Sequence, residues 1–196
     1  MNRKGFTLIE ILAVVIILGV IMMIAVPNVL SMLDRNKKDT MIEHAKMMAT
    51  QAEYTIRKDV SIEYPTENNA IILTLEYLNT NDIAESPYSM MYDKNRSFVA
   101  IVNEKENEIT EYKYYVHLVA CGDDACSVDS KKRGINLIEI SELSGGERFS
   151  KVKEGDDVET GYLTIEDDSV SSTDALLTDL MSKGVTKIET IYSKLS

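Results

Sequence analysis

The sequence has few of the residues that build catalytic and metal sites. Its 196 residues contain two cysteines and two histidines. Neither histidine lies in a Ser/His/Asp or Cys/His arrangement, and no spacing typical of a two-metal site occurs. We therefore predict no enzymatic activity and no cofactor, with an enzyme tethered by a signal anchor kept as the alternative.

Positive charge is also scarce. The chain has 21 Lys and Arg residues against 32 Asp and Glu residues, which gives a formal net charge of −11. Tight non-specific binding of nucleic acids depends on Lys and Arg residues that neutralise phosphates. Because the chain contains no Lys/Arg stripe, we expect no direct nucleic-acid partner.

Charge of either sign is missing from one long stretch, residues 11–33. A helix that crosses a bilayer needs about 20 apolar residues, and a soluble core helix is not normally apolar on every face. The stretch therefore predicts a membrane-inserted N-terminus. Arg3 and Lys4 precede it, so the positive-inside bias predicts a cytoplasmic leader and places the chain after Asp34 outside the membrane.

Three details distinguish this N-terminus from an ordinary signal anchor. A single glycine joins the basic leader to the apolar run, in Lys4-Gly5-Phe6-Thr7. Secretory signals carry their cleavage site after the apolar region, so a cut here would leave the apolar helix on the mature protein. Glu10 is a lone carboxylate, and such a charge costs at least ~2.5 kcal/mol at the centre of a membrane helix. Gly19 and Pro27 are weak points, since glycine eases bending and proline removes a backbone donor.

The segment Gly5-Phe6-Thr7-Leu8-Ile9-Glu10 resembles the processing motif of type IV pilins and type II secretion pseudopilins, and the resemblance covers roughly residues 3–27. It implies cleavage between Gly5 and Phe6 by a prepilin peptidase, followed by N-methylation at Phe6. The mature chain would then have a net charge of about −13, because the leader carries two basic residues and no acidic one.

The resemblance also implies roles in assembly for three residues. Glu10 would meet the N-terminal amine of a neighbouring subunit, while Gly19 and Pro27 would lie where the helix loosens as subunits pack. An ammonium and a carboxylate are both costly in lipid, and pairing relieves each of them. In the alternative, Glu10 lies at the interfacial edge of a signal anchor and is hydrated among the lipid headgroups.

Beyond the apolar run, the spacing predicts that the helix continues over residues 34–60. Apolar residues recur there at three- and four-residue steps, which places them on one helical face. They are Met41, Ala45, Met48, Ala49, Ala52 and Ile56. We expect a C-terminal domain to pack on this stripe, rather than a ligand to bind its methionines. His44 lies off the stripe and is expected to be solvated.

The rest of the chain predicts a small domain of mixed structure. After a break at residues 61–69, residues 73–78 favour a short helix, although Ile71, Leu73 and Leu75 also alternate as a strand would. A turn is expected at residues 85–88. Aromatic and β-branched runs predict strands, and capping residues predict one more helix. The strands are expected at residues 97–102, 109–119, 135–140, 162–165 and 185–192, with a turn at 103–107, and the helix at 174–182 between a Ser172-Thr173 cap and Gly184.

These elements give an α+β fold similar to that of pilins. A long N-terminal helix, half transmembrane and half amphipathic, is expected to pack against a C-terminal antiparallel sheet. The predicted domains are a leader (residues 1–5), the transmembrane and assembly half of the helix (6–33), its amphipathic half (34–60) and an extracytoplasmic globular domain (61–196).

Cys121 and Cys126 enclose only Gly122-Asp123-Asp124-Ala125. A disulfide is chemically reasonable outside the cytoplasm, and free thiols are the alternative. A metal site is poorly supported, because two cysteines lack two further well-placed ligands. Acidic clusters at residues 154–159 and 166–168 do not fit the twelve-residue calcium loop. We therefore predict that both clusters are solvated and that neither binds a metal.

The sequence thus predicts a structural subunit of a type IV pilus-like or type II secretion-like filament, a minor pilin or a pseudopilin. The implied partners are other pilin-type subunits, the prepilin peptidase, an assembly ATPase with its platform protein, and the bacterial cytoplasmic membrane, which the subunit leaves for a cell-surface or periplasmic filament. Two alternatives stay open. One is a membrane-anchored extracytoplasmic binding module that does not polymerise, and the other is a competence-type pseudopilin for DNA uptake.

Overall fold

The chain forms two compact units that divide between Lys37 and Lys38. The computed structural model describes residues 7–78, 83, 85–106, 109–123, 126–127, 129–161, 163–166, 169–172 and 176–193. One helix, α1 (Leu8–Lys58), runs through both units.

The N-terminal part of α1 has the properties of a membrane span. Every side chain from residue 8 to residue 33 is exposed, although most of them are large and apolar. By length and composition, α1 is the one helix among the described residues that is long and apolar enough to cross a membrane. The predicted transmembrane helix is confirmed at this level.

The C-terminal part of α1 buries the predicted stripe. All six predicted residues are buried, and Ile42 beside them is also fully buried. Apolar residues at three- and four-residue steps lie on one side of a helix, so the stripe forms a continuous surface. This surface packs against a β-sheet.

The sheet and the shorter helices occupy the second unit. The strands are β1 (Asn69–Thr74), β2 (Met91–Tyr92), β3 (Phe98–Glu106), β4 (Ile109–Cys121), β5 (Lys132–Glu139), β6 (Val152–Glu154), β7 (Leu163–Glu166), β8 (Ser169–Ser172) and β9 (Lys187–Tyr192). The helices are α2 (Leu75–Leu78) and α3 (Leu176–Ser182), with 3-10 segments at Ile140–Ser144, Arg148–Lys151 and Gly155–Asp157.

The main sheet has the strand order β6-β5-β4-β3-β1-β9, and β2 pairs with the end of β4. Its pairings are antiparallel except for β1 and β9, which run parallel. Strands β7 and β8 form a separate hairpin. The predicted α+β, pilin-like architecture, with a long helix on a mostly antiparallel sheet, is confirmed.

Both faces of the sheet are buried, and alternate residues of β1 show the division. Ile71 and Leu73 belong to the core that includes the α1 stripe. Ala70 and Ile72 belong to a second core, which also includes Leu180 of α3. Side chains alternate across a strand, so one short strand supplies both cores.

The helix predicted at residues 73–78 is wrong in its first two residues. Leu73 and Thr74 belong to β1, and only Leu75–Leu78 is helical. The alternation of Ile71 and Leu73 correctly indicated a β-strand there. Leu73 pairs with Val99 of β3, and this tertiary pairing overrides the weak helix preference of a short segment.

The predicted turn at residues 103–107 is also wrong where the structure describes it. Asn103 continues β3, opposite Tyr112 of β4, and the strand runs on to Glu106. The side-chain amide of Asn103 donates to the Pro65 carbonyl at 2.7 Å. This buried hydrogen bond gives a turn-forming residue a place inside a strand. Asn107 lies outside the described residues.

The last two predicted elements are present. Helix α3 covers the described part of the predicted helix, Leu176–Ser182, and β9 begins at Lys187, two residues later than expected. Ser172 ends strand β8, while Thr173, Asp174 and Tyr162 lie outside the described residues. Gly184 follows α3 with a φ of 86°, the left-handed conformation that glycine adopts without strain at the end of a helix.

Candidate processing and assembly site

Thr7 and Glu10 close the N-terminus of α1 with reciprocal hydrogen bonds. The Thr7 backbone N–H and the Thr7 hydroxyl both donate to Glu10 Oε2, each at 2.8 Å. The Glu10 backbone N–H in turn lies 3.4 Å from Thr7 Oγ1. This is a capping box, in which a threonine and a glutamate three residues later satisfy donors that the first helical turn leaves without partners.

The capping box occupies only one of the two oxygens of the Glu10 carboxylate. The carboxylate accepts both hydrogen bonds from Thr7, one from the backbone N–H and one from the hydroxyl, at the same oxygen, Oε2. An ionised carboxylate has two oxygens and about four lone-pair sites. Glu10 can therefore cap its own helix and still offer Oε1 to a cation from another chain.

Thr7 was not recognised as part of the site from the sequence. The pattern Thr-x-x-Glu before an apolar run predicts a capping box, and it could have identified Thr7. Gly5 and Phe6, the predicted processing residues, lie outside the described residues. The structure therefore places Glu10 at the first turn of α1 but says nothing of the bond between Gly5 and Phe6.

Gly19 and Pro27 lie within α1, and the structure does not bring them to Glu10. A Cβ atom built on Gly19 would meet no atom within 4 Å, so packing within this chain does not require glycine there. Pro27 lies inside the helix and has no N–H to donate to the preceding turn. One residue further on, the Asn28 side-chain amide donates to the Ile24 carbonyl at 3.1 Å.

Cys121 and Cys126 are paired in the structure, with their Cα atoms 5.2 Å apart. Cys121 ends β4, opposite Met91 of β2 and Lys132 of β5. The pair forms a small buried cluster with Val119 and Val158. It therefore joins the end of the central strand to the loop that follows.

Three acidic residues of the first cluster are exposed, as the predicted solvated face requires, whereas the fourth, Glu159, is half-buried. Asp156 and Asp157 lie in a 3-10 segment at the surface, and Glu154 forms an ion pair with Arg133. Asp167 and Asp168 lie outside the described residues. Within the described chain, no group of three His, Cys, Asp or Glu side chains is arranged as metal ligands.

His44 does not have the solvated environment expected from the sequence. It is half-buried, and its Nδ1 lies 2.9 Å from the Tyr92 hydroxyl. Burial lowers the pKa of His44 and raises the pKa of Tyr92. Both shifts favour the neutral forms of the two side chains, a protonated phenol and a neutral imidazole, and the tautomer of His44 sets which of them donates. No sequence pattern linked these residues, because β2 is only two residues long.

Comparison with known families identifies the N-terminus. A family model described as "Prokaryotic N-terminal methylation motif" matches residues 1–26. This motif is the signature of type IV pilins and pseudopilins, and its family is structural rather than enzymatic. It implies contact with pilin-type subunits and with a prepilin peptidase in general, and together with the apolar helix it fits membrane anchoring. No curated protein and no solved structure matched the chain.

Proposed function

We propose that this chain, which carries the N-terminal methylation motif, is a minor pilin or pseudopilin that assembles into a filament. The motif match carries the proposal. Two further features support it: an apolar helix that continues into a buried stripe, and a sheet domain that covers this stripe. In the proposed domain division, residues 1–5 are the leader, 6–33 insert in the membrane, 34–60 support the domain and 61–196 form it.

The first step of the proposed pathway is processing after Gly5. Cleavage removes Arg3 and Lys4 and leaves Phe6 as an N-methylated terminus next to the capped helix. Mass spectrometry of the protein from its native cells should find a chain that begins at methylated Phe6. A mature protein that retains Met1 or begins at Asn2, with no form beginning at Phe6, would contradict the proposal.

The second step is pairing between Glu10 and the Phe6 amine of a neighbouring subunit. The amine is created in an apolar environment four residues before Glu10, where an unpaired charge is costly. Because the capping box uses Oε2, Oε1 can accept the neighbour's ammonium while the helix stays capped. Pairing between subunits makes the relief of both charges depend on assembly, and it fixes the axial register.

Replacement of Glu10 tests this step. We expect Glu10→Ala to be processed normally, and its amount in sheared filaments to fall at least tenfold, as measured by immunoblot against the membrane fraction. Glu43→Ala is the matched control, since Glu43 is an exposed carboxylate on the same helix. Normal incorporation of the Glu10→Ala chain would refute the role of Glu10 but not the role of the motif in processing.

The assembly machinery is inferred from the same motif. A cytoplasmic ATPase and its platform protein would lift α1 out of the lipid, and burial against neighbouring helices would replace the lipid contacts. Gly19 and Pro27 would let the helix loosen as it packs. The domain would lie outside the cytoplasmic membrane, on a cell-surface or periplasmic filament. Crosslinking from Phe6 to other pilin-type subunits distinguishes this subunit from an anchored module that never polymerises.

We also propose that Cys121 and Cys126 form a disulfide in the exported protein. Closing so short a loop stabilises a domain by about 2 kcal/mol, mainly by restricting the unfolded chain. The double variant Cys121→Ser/Cys126→Ser should lose about this much free energy of unfolding. Mass spectrometry of non-reduced protein should find the linked peptide, and free thiols in the exported protein would contradict the assignment.

A further inference from the structure

Asn28 brings an amide side chain into the exposed apolar part of α1. It lies in the stretch that contains no charged side chain, residues 11–33. Its Nδ2 donates to the Ile24 carbonyl at 3.1 Å. An asparagine amide has two N–H donors and a carbonyl oxygen that accepts. Within the part of the chain that the structure describes, the second N–H has no partner, so it can bind another molecule.

Pro27 leaves a backbone acceptor at the same level of the helix. In an α-helix each N–H donates to the carbonyl four residues earlier, and for Pro27 that carbonyl belongs to Met23. Proline has no N–H, so the Met23 carbonyl lacks its usual donor. A carbonyl without a partner is costly in lipid, and prolines are tolerated in membrane helices where a neighbouring helix or side chain satisfies it.

Asn28 and Glu10 lie on the same side of α1. They are 18 residues apart, which is about five full turns of 3.6 residues and a rise of about 27 Å. A second helix that runs along this side therefore meets both residues. Since Glu10 is the proposed acceptor of a neighbour's amine, the surface around Asn28 continues the proposed contact.

Pairing at Glu10 determines which part of a second copy reaches Asn28. The amine of Phe6 in the second copy meets Glu10, so two parallel helices are displaced by four residues, or ~6 Å. Asn28 then lies level with position 24 of the second copy, next to the Met23 carbonyl. An N–H donor without a partner thus approaches a carbonyl without a donor.

A second copy of this chain fits both requirements of the contact. It carries the proline that releases the carbonyl, and a helix with another residue at that position would offer none. Residues 6–60 carry six basic and six acidic side chains, so the mature helices have no net charge that would keep them apart. Asparagine side chains are among those that form hydrogen bonds between membrane helices.

We propose that Asn28 donates its second N–H to the Met23 carbonyl of a second copy, displaced by four residues along α1. The inference rests on the proposed function and deepens it, because it names a partner and adds a positioning residue to the assembly surface. Glu10 aligns the copies at one end of the apolar segment, and Asn28 aligns them at the other. The bond forms only between copies, so it favours the assembled state.

A double-mutant cycle on the mature full-length chain tests the inference. The protein is purified from its native cells and reconstituted in phosphatidylcholine vesicles at 0.15 M salt, where the Debye length is about 8 Å. An amine-reactive crosslinker measures the dimer fraction over a range of protein-to-lipid ratios, which gives the association constant. None of the variants changes a lysine, so the crosslinking chemistry is the same in all of them.

We expect Asn28→Leu to lower the association constant about threefold to tenfold, which corresponds to ~0.6–1.4 kcal/mol. The variant Pro27→Ala restores the N–H that satisfies the Met23 carbonyl within its own helix. In that background Asn28→Leu should change the constant by less than about twofold, because the two residues act through one bond. Asn28→Gln retains the amide and should lose less than Asn28→Leu.

The matched control is Asn36→Leu, which removes an exposed amide from α1 beyond the apolar run and should leave the association constant unchanged. Equal losses from Asn28→Leu with and without Pro27 would overturn the inference, and so would an unchanged constant in the Pro27 background. If Glu10→Ala weakens association and Asn28→Leu does not, the inference fails and the proposed function stands. Mature protein that retains its leader would instead count against the proposed function, whatever Asn28 does.

Discussion

At the scale of single residues, the first turn of α1 combines two tasks in one carboxylate. Glu10 caps its own helix through Thr7, and in the proposed assembly it also binds a neighbour's amine. The two tasks use different oxygens, so neither excludes the other. A capped carboxylate also has a fixed position, which favours one geometry for an incoming cation.

Replacing Thr7 by valine should loosen this turn. The substitution keeps the shape of the side chain but removes the hydroxyl that contacts both the carboxylate and the backbone N–H of Glu10. Loss of an N-cap hydroxyl costs about 1 kcal/mol, so first-turn amides should exchange about fivefold faster. Hydrogen–deuterium exchange of the full chain in micelles measures this. Thr7→Ser retains the hydroxyl, and it should exchange like the unaltered protein.

We expect the burial of His44, beside Tyr92, to make the packing of α1 sensitive to acid. The pKa of His44 is lowered in the folded state because burial disfavours the charged imidazole. The unfolded chain therefore binds a proton more readily than the folded one. The stability of the fold is complete above the ordinary histidine pKa of about 6.5, and it decreases as the pH falls from there towards the folded pKa.

The variant His44→Gln should remove this part of the pH dependence. We expect the free energy of unfolding to fall less between pH 7.5 and pH 5.5 in the variant than in the unaltered protein. Urea denaturation in micelles at the two pH values measures the difference. His117 is present in both proteins, so it cancels in the comparison. Equal pH dependence in both would show that His44 does not couple protonation to folding.

At the scale of elements, the contact between α1 and the sheet depends on which side of the helix a residue occupies. Met47 and Met48 are neighbours in sequence, yet 43% of Met47 is exposed while Met48 is fully buried. Small residues within the stripe, Ala45 and Ala52, are also fully buried. The stripe thus alternates large and small side chains against the sheet, which favours close packing.

Truncation of the two methionines should separate their roles. Met48→Ala leaves a cavity in the main core and should lower the free energy of unfolding by about 2–5 kcal/mol. Met47→Ala removes the same atoms from an exposed position and should change it by no more than about 0.5 kcal/mol. Urea denaturation of both full-length variants, followed by tyrosine fluorescence, measures the difference. Similar losses in the two variants would show that α1 packs in another orientation.

The sequence predicted those elements that local chemistry determines. The apolar run and the stripe of α1 follow from periodicity, and the aromatic run of β4 follows from strand preference. The turn at residues 103–107 was wrong because Asn103 pairs with Tyr112 and donates to the Pro65 carbonyl, 38 positions away, and the local sequence indicates neither contact. The parallel pairing of β9 with β1 was not predicted, since nothing local to either strand specifies it.

At the scale of the whole molecule, charge is divided unevenly along the chain. Residues 6–60 carry six basic and six acidic side chains, whereas residues 61–196 carry 13 basic against 26 acidic ones. The mature helix is therefore neutral overall and the rest of the chain is strongly acidic. Copies of this chain placed side by side would therefore repel one another at low ionic strength.

Self-association of the full chain should therefore increase with salt. The Debye length falls from about 30 Å at 0.01 M to about 10 Å at 0.1 M ionic strength, so repulsion between copies is largely screened at the higher value. Chemical crosslinking in micelles at the two concentrations should show a severalfold gain of dimers. Sucrose at matched osmolarity is the control. A loss of dimers with salt would indicate attractive ion pairs between copies and would contradict a repulsive surface.

The candidate site, like the fold, was predictable only in part, because only some of its contacts are local in sequence. The motif around Glu10 is local, and a family comparison found it in residues 1–26. The contact of His44 with Tyr92 joins residues that are 48 positions apart, and the domain determines it. Sequence patterns therefore predict how the chain is anchored better than they predict the surface that it presents.

The parallel pair at the edge of the sheet has a consequence for biosynthesis. Strand β1 follows α1 closely, but its neighbour β9 comes near the end of the chain, and Thr74 and Tyr192, at the ends of these strands, are 118 positions apart. At ~5–20 residues per second, β9 is synthesised roughly 6–24 s after β1. Until then one edge of the nascent sheet stays open and can pair wrongly, while the N-terminal helix has long since been made. Shortening the C-terminus should therefore harm export yield before it harms membrane insertion.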